Sequence, residues 1–169
     1  MPSKSKNKGS SFERDVAKKL SDLFGESFIR VTNSGAYIGG KNTHRKDNLS
    51  EAQIRHSKGD IVPGPNFGRM NAEAKSYADF PFHQLFTGSC KQLDEWIEQM
   101  LEVADKGDFN ILFMKFNHKG TFVVVPYNQS WDPTLSSFTY RSSRHQVWQI
   151  FDLEQFLIKN REHIEALCR

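Results

Sequence analysis

From Ser10 to Phe24 the apolar residues Phe12, Val16, Leu20, Leu23 and Phe24 recur at helical spacing, which predicts an amphipathic helix. Ser10 or Ser11 suits its N-cap and Gly25 its end. Ser27–Asn33 reads as a strand centred on Phe28 and Ile29. After a long polar loop, Asp60-Ile61-Val62 and Ala72–Tyr77 read as two strands of a hairpin around the turn-rich Pro63–Gly68. Ser89–Lys106 is a second predicted helix, with Leu93, Trp96, Ile97, Met100, Leu101 and Ala104 on one broad face. Phe109–Phe116 and Thr121–Pro126 form a second hairpin across Asn117–Gly120, where Gly120 suits positive φ. Residues 127–145 look irregular, and Gln146–Phe151 forms a short strand. Asp152 then caps a last helix, about 152–167, with Gln155 at capping-box spacing and Leu153, Phe156, Leu157 and Ile164 facing inward.

Length and composition fit one domain. The chain has 169 residues, 37% of them hydrophobic and 25% charged, which is the scale of a single α/β core and excludes a multidomain enzyme. No apolar run approaches the ~20 residues of a membrane helix. No apolar segment of a secretory signal follows the basic start, so a cytoplasmic location is expected. Cys90 and Cys168 form neither a disulfide framework nor a zinc motif, and both are expected as thiols. His44, His56, His83, His118, His145 and His163 show no paired spacing for a metal.

The net charge of +3 hides an uneven distribution. Residues 1–8 carry Lys4, Lys6 and Lys8 with no acid and read as a basic flexible tail. The stretch Tyr37–Gly59 carries Lys41, Arg45, Lys46, Arg55 and Lys58 against Asp47 and Glu51, and reads as a basic insertion loop. Trp131, Phe138 and Tyr140, interleaved with Arg141 and Arg144, offer base-stacking chemistry, although packing into the domain is the simpler expectation.

The informative acids are few. Glu73 and Lys75 lie two apart in a strand and project from one face, while Ala74 between them points to the other. Asp60 opens the preceding strand and can bring its carboxylate to the same end of the sheet. Two hard oxygen ligands beside an ammonium make a workable Mg²⁺ site. Taken alone, the Glu-x-Lys triplet reads as an ordinary solvated strand face.

In its flanks the order changes the reading. Gly59-Asp60-Ile61-Val62, a short gap and Asn71-Ala72-Glu73-Ala74-Lys75, preceded by a helix bearing Glu13, resemble the PD-(D/E)XK nuclease superfamily. Lys8-Gly9-Ser10-Ser11-Phe12-Glu13-Arg14, then Phe28-Ile29-Arg30 and Ser34-Gly35, resemble archaeal-type Holliday-junction resolvases and their phage and viral relatives. The likeness spans roughly residues 8–126 and departs in the long segment Ala36–Gly59 and in Gly59, where the family commonly has Pro.

This resemblance implies an α/β fold with a restriction-endonuclease-like core, a mixed central sheet flanked by helices. It implies a metal-dependent DNA endonuclease that resolves four-way or branched DNA by paired nicks from a homodimer. The alternatives are a nuclease of duplex or single-stranded DNA, and a nucleic-acid-binding module without catalysis. Glu13, Asp60, Glu73 and Lys75 are the implied catalytic residues. Asp60, Glu73, the Ala74 carbonyl and Glu13 would hold Mg²⁺ or Mn²⁺. Lys8, Arg14, Arg30, Ser34, Lys41, Arg45, Lys46 and Lys58 would meet DNA phosphates, and Gln92, four residues before Trp96, would support the site from behind.

Overall fold

A computed structural model describes residues 4–31 and 58–169. The first helix, α1 (Lys4–Phe24), starts six residues ahead of the predicted caps. Ser10 is not an N-cap, and its hydroxyl accepts a hydrogen bond from Arg30 Nη2 at 3.0 Å. Lysines propagate helix well, so Lys4–Lys8 continue α1 where a flexible basic tail was expected.

Two short strands follow, β1 (Ile29–Arg30) and β2 (Ile61–Val62), and they pair with each other antiparallel. The expected hairpin of β2 with β3 (Met70–Tyr77) does not form. Ile29 stands opposite Val62 and Arg30 opposite Ile61. A single backbone bond, Asp60 N–H to the Ala72 carbonyl at 2.8 Å, ties β2 to β3.

The main sheet has five strands in the order β3-β4-β5-β7-β6, with β4 at Phe109–Phe116, β5 at Gly120–Pro126, β6 at Ser137–Arg141 and β7 at Val147–Asp152. β3 and β4 are parallel and the other pairs antiparallel. The parallel step needs a crossover, and α2 (Lys91–Glu102) supplies it, shorter at both ends than the predicted Ser89–Lys106. The β4–β5 hairpin forms as expected, with His118 at φ 58° and Gly120 at φ 106°.

Both faces of the sheet are covered. Along β4, Ile111 and Phe113 pack with Ala72 and Ala74 against Phe12, Val16, Ala17 and Leu20 of α1. Leu112, Met114 and Phe116 pack against Leu93, Trp96, Ile97 and Met100 of α2. A strand buried on both sides reads as a continuous apolar run, which is how Asn110–Met114 appears in the sequence.

The C-terminal region adds β6 as an edge strand within the stretch expected to be irregular. Its Tyr140 is fully buried, accepting from Cys90 N–H and donating to Asp94 Oδ1 at 3.0 Å each. Trp131 is buried between Phe109 and Phe156, so neither ring is presented for base stacking. The last helix is two, α3 (Leu153–Lys159) and α4 (Arg161–Cys168), broken where the buried Asn160 turns its side chain to the Phe156 carbonyl and the Asp132 N–H. Asp152 caps α3 as expected, accepting from Gln155 N–H at 3.0 Å. Among the described residues no helix is long and apolar enough to cross a membrane.

Candidate active site

The site forms where β2 meets β3. Gly59 holds φ +56°, and a Cβ built there would fall 2.3 Å from the Ala72 carbonyl oxygen. Only glycine fits this left-handed, close approach, and proline, fixed near φ −65°, could not adopt it. The departure at Gly59 thus has a local cause. The tight step presses Asp60 onto β3, where its Oδ2 accepts from the Ala74 N–H at 2.8 Å.

Glu73 lies beside it, 3% exposed against 6% for Asp60. In register Glu73 faces Leu112 and Lys75 faces Met114, so both side chains stand on the α2 side of the sheet while Ala72 and Ala74 face α1. This is the face separation expected from the Glu-x-Lys spacing. Burial pushes the Glu73 carboxyl up to about 7, reinforced by the adjoining Asp60 and opposed by Lys75. Two buried carboxyls side by side, one of them reluctant to ionise, lack positive charge.

Lys75 supplies part of it. Its Nζ donates to Glu73 Oε1 at 2.6 Å and to Gln99 Oε1 at 2.8 Å. Gln99, on α2, is a site residue that the sequence reading missed. Gln92, expected to support the site from behind, lies two turns away on α2 and lines a separate cavity with Phe80 and Phe82. The signal that could have found Gln99 is its position seven residues on, which shares the same helix face.

Glu13 is not gathered into this group. It stands on α1, which packs against the opposite face of β3, and its carboxylate is engaged by Arg30 Nε. Among the described residues no three His, Cys, Asp or Glu side chains converge as a metal cluster. Asp60 and Glu73 are the two carboxylates the fold brings together. That still fits Mg²⁺, which is commonly held by one or two carboxylates with waters and phosphate oxygens.

The basic residues divide. Arg30 is half-buried, fixed between Glu13 and Ser10. Arg14 is exposed, and Lys8 lies in the first turns of α1. Lys58 is not a DNA-facing residue. Its side chain is 10% exposed, and its Nζ is clamped by Asp105 and Asp108 at 2.6 Å each. Ser34, Lys41, Arg45 and Lys46 lie outside the described residues, as does most of the insertion.

A family model described as phage putative PDDEXK endonuclease matches residues 4–164. The chain belongs to this family. Membership covers almost the whole chain, including the C-terminal region that carried no motif in the sequence reading. It establishes the PD-(D/E)XK endonuclease class and the phage relation, and the mixed sheet between helices is compatible with that core. No curated protein and no solved structure matches the chain.

Proposed function

We propose that this PDDEXK endonuclease is a divalent-metal-dependent enzyme that cuts branched DNA, four-way junctions in particular, by paired nicks from a homodimer. The observation that carries the catalytic part is the buried Asp60–Glu73 pair with Lys75 against it. Asp60, Glu73 and the Ala74 carbonyl would hold Mg²⁺ or Mn²⁺. When bound, the ion supplies positive charge to the phosphate oxygens and lowers the pKa of a coordinated water.

The chain's own residues do the rest. Asp60 is held by the Ala74 N–H, so one ligand arrives already oriented. An ammonium has three donors, and Lys75 spends two on Glu73 and Gln99, leaving one to orient the attacking water. Arg30, held by Glu13 and Ser10, presents its guanidinium for a phosphate. In this reading Glu13 is a positioning residue acting through Arg30. The junction preference rests on the resolvase-like order of Glu13, Arg30, Asp60, Glu73 and Lys75. Paired nicks need two sites related by a two-fold axis, which a homodimer provides.

The test is cleavage of a synthetic four-way junction against matched linear duplex, with and without Mg²⁺, for wild type, Glu73→Ala and Asp60→Asn. Junction cleavage that requires metal and drops at least a hundredfold in both variants is the expected result. Equal cleavage of junction and duplex replaces the junction reading with a general duplex nuclease. Variants as active as wild type would remove the proposed centre.

A further inference from the structure

Beside the catalytic strand, aromatic and amide side chains lead from Lys75 toward a cavity. This strip starts at Gln99, bonded to Lys75. Next comes Tyr77, 47% exposed, lying on the buried Trp96 ring with centroids 4.9 Å apart. It ends in an open cavity of about 520 Å³ lined by Phe80, Phe82, His83 and Gln92, with the ion-paired Asp79 and Lys119 in its wall. On α2, residues 92, 96 and 99 fall on one stripe, and seven residues of helix span about 10 Å. β3 and α2 run antiparallel here, since Lys75 meets Gln99 and Tyr77 meets Trp96.

The charges bordering the strip are matched within the protein. Asp79 is bonded by Lys119, whose Nζ also lies 5.9 Å from the Phe82 ring centroid. Lys91 pairs with Glu95 at 3.7 Å. A strip with neutral rings and amides at its centre and neutralised charges at its edges offers little to a phosphate backbone. It suits nucleobases, which stack on rings and take hydrogen bonds from amides.

We infer that this strip binds the bases of an unpaired DNA strand leading away from the cleaved bond. The inference rests on the nuclease reading; because a four-way junction is fully paired, it concerns the other branched DNAs of that reading, forks and flaps with an unpaired arm. About 10 Å accommodates roughly three stacked nucleotides at 3.4 Å each. Tyr77 takes the nearest base, and the cavity at Gln92 takes the last.

The test measures binding in EDTA, so that it reads independently of turnover. The full chain is titrated into a forked duplex carrying 2-aminopurine in its unpaired arm, and into a fully paired duplex with the probe at its centre. Binding changes the emission of the forked probe, and Tyr77→Ala abolishes that change and weakens fork binding about tenfold. Binding of the paired duplex is unaltered in that variant. Tyr77→Phe keeps the ring and the wild-type values, and Gln92→Ala lowers fork affinity alone. Equal losses on both DNAs, wild-type fork affinity in Tyr77→Ala, or no binding of the fork by the wild type would overturn the strip. Cleavage with Mg²⁺, run in parallel, judges the nuclease reading separately, because a chain that binds the fork through Tyr77 and never cuts keeps the strip and loses the enzyme.

Discussion

At position 59 any side chain collides with the backbone of β3. Gly59→Ala is therefore expected to destabilise the fold by roughly 2 kcal/mol or more, from left-handed strain and the clash. It should also lower cleavage at least tenfold by displacing Asp60. A thermal melt lower by several degrees together with a weakened nicking rate checks both. Glu73 makes a pH prediction with a definite sign. Its folded value of about 7 lies above the ordinary value of 4.5. The buried neutral carboxyl thus favours folding below pH 4.5, and that contribution is lost as pH rises through 7. Metal-free protein should lose stability across that window, and Glu73→Gln should flatten the slope in denaturant titrations. Mg²⁺ should restore stability at pH 8 in the wild type and have no such effect in Glu73→Gln. The Glu73–Lys75 pair was legible in the sequence because a two-residue step on a strand dictates a shared face. The role of Lys58 was not, since a lysine in a basic run looks solvated until Asp105 and Asp108 close on it.

Among the elements, α2 does most for the site, because this crossover helix brings Gln99 back to Lys75. Gln99→Ala should lower the cleavage rate roughly tenfold, the usual scale for losing a supporting partner, while DNA affinity measured in EDTA stays at the wild-type value. Helices with a full apolar stripe, such as α2, were legible from periodicity because their core face fixes their phase. β6 was hidden because an edge strand buries little beyond Tyr140, and its Ser137, Thr139 and Arg141 look like loop residues. The pairing of β1 with β2 was misread because neighbouring strands across a short turn suggest a hairpin, while the true partner lies beyond the insertion. Lys58→Met tests the clamp at that junction. It strands the buried Asp108 and should cost roughly 3 kcal/mol. The salt dependence of DNA binding should stay unchanged, whereas loss of a phosphate contact would reduce its slope by about one.

For the whole molecule, the described residues form two helix-covered sheet faces, with the catalytic candidates on the strand at one edge. Metal ligation and lysine placement draw on β2, β3 and α2, so most of the chemistry is set by a small part of the chain. The C-terminal strands and helices complete the core behind it.

The pairing of β1 with β2 extends one residue past the strands themselves. The Val31 N–H bonds to the Asp60 carbonyl at 2.9 Å, so the chain leaves the fold and returns to it at almost the same point. Closure cost grows only slowly with the length enclosed, about 0.6 kcal/mol per doubling. Replacing residues 33–56 with a short Gly-Ser bridge should then leave the melting temperature within a few degrees, while removing Lys41, Arg45, Lys46 and Arg55 and weakening DNA binding. The two ends of the segment thus share one anchor, a backbone bond that directly precedes the Asp60 side chain's own bond to β3.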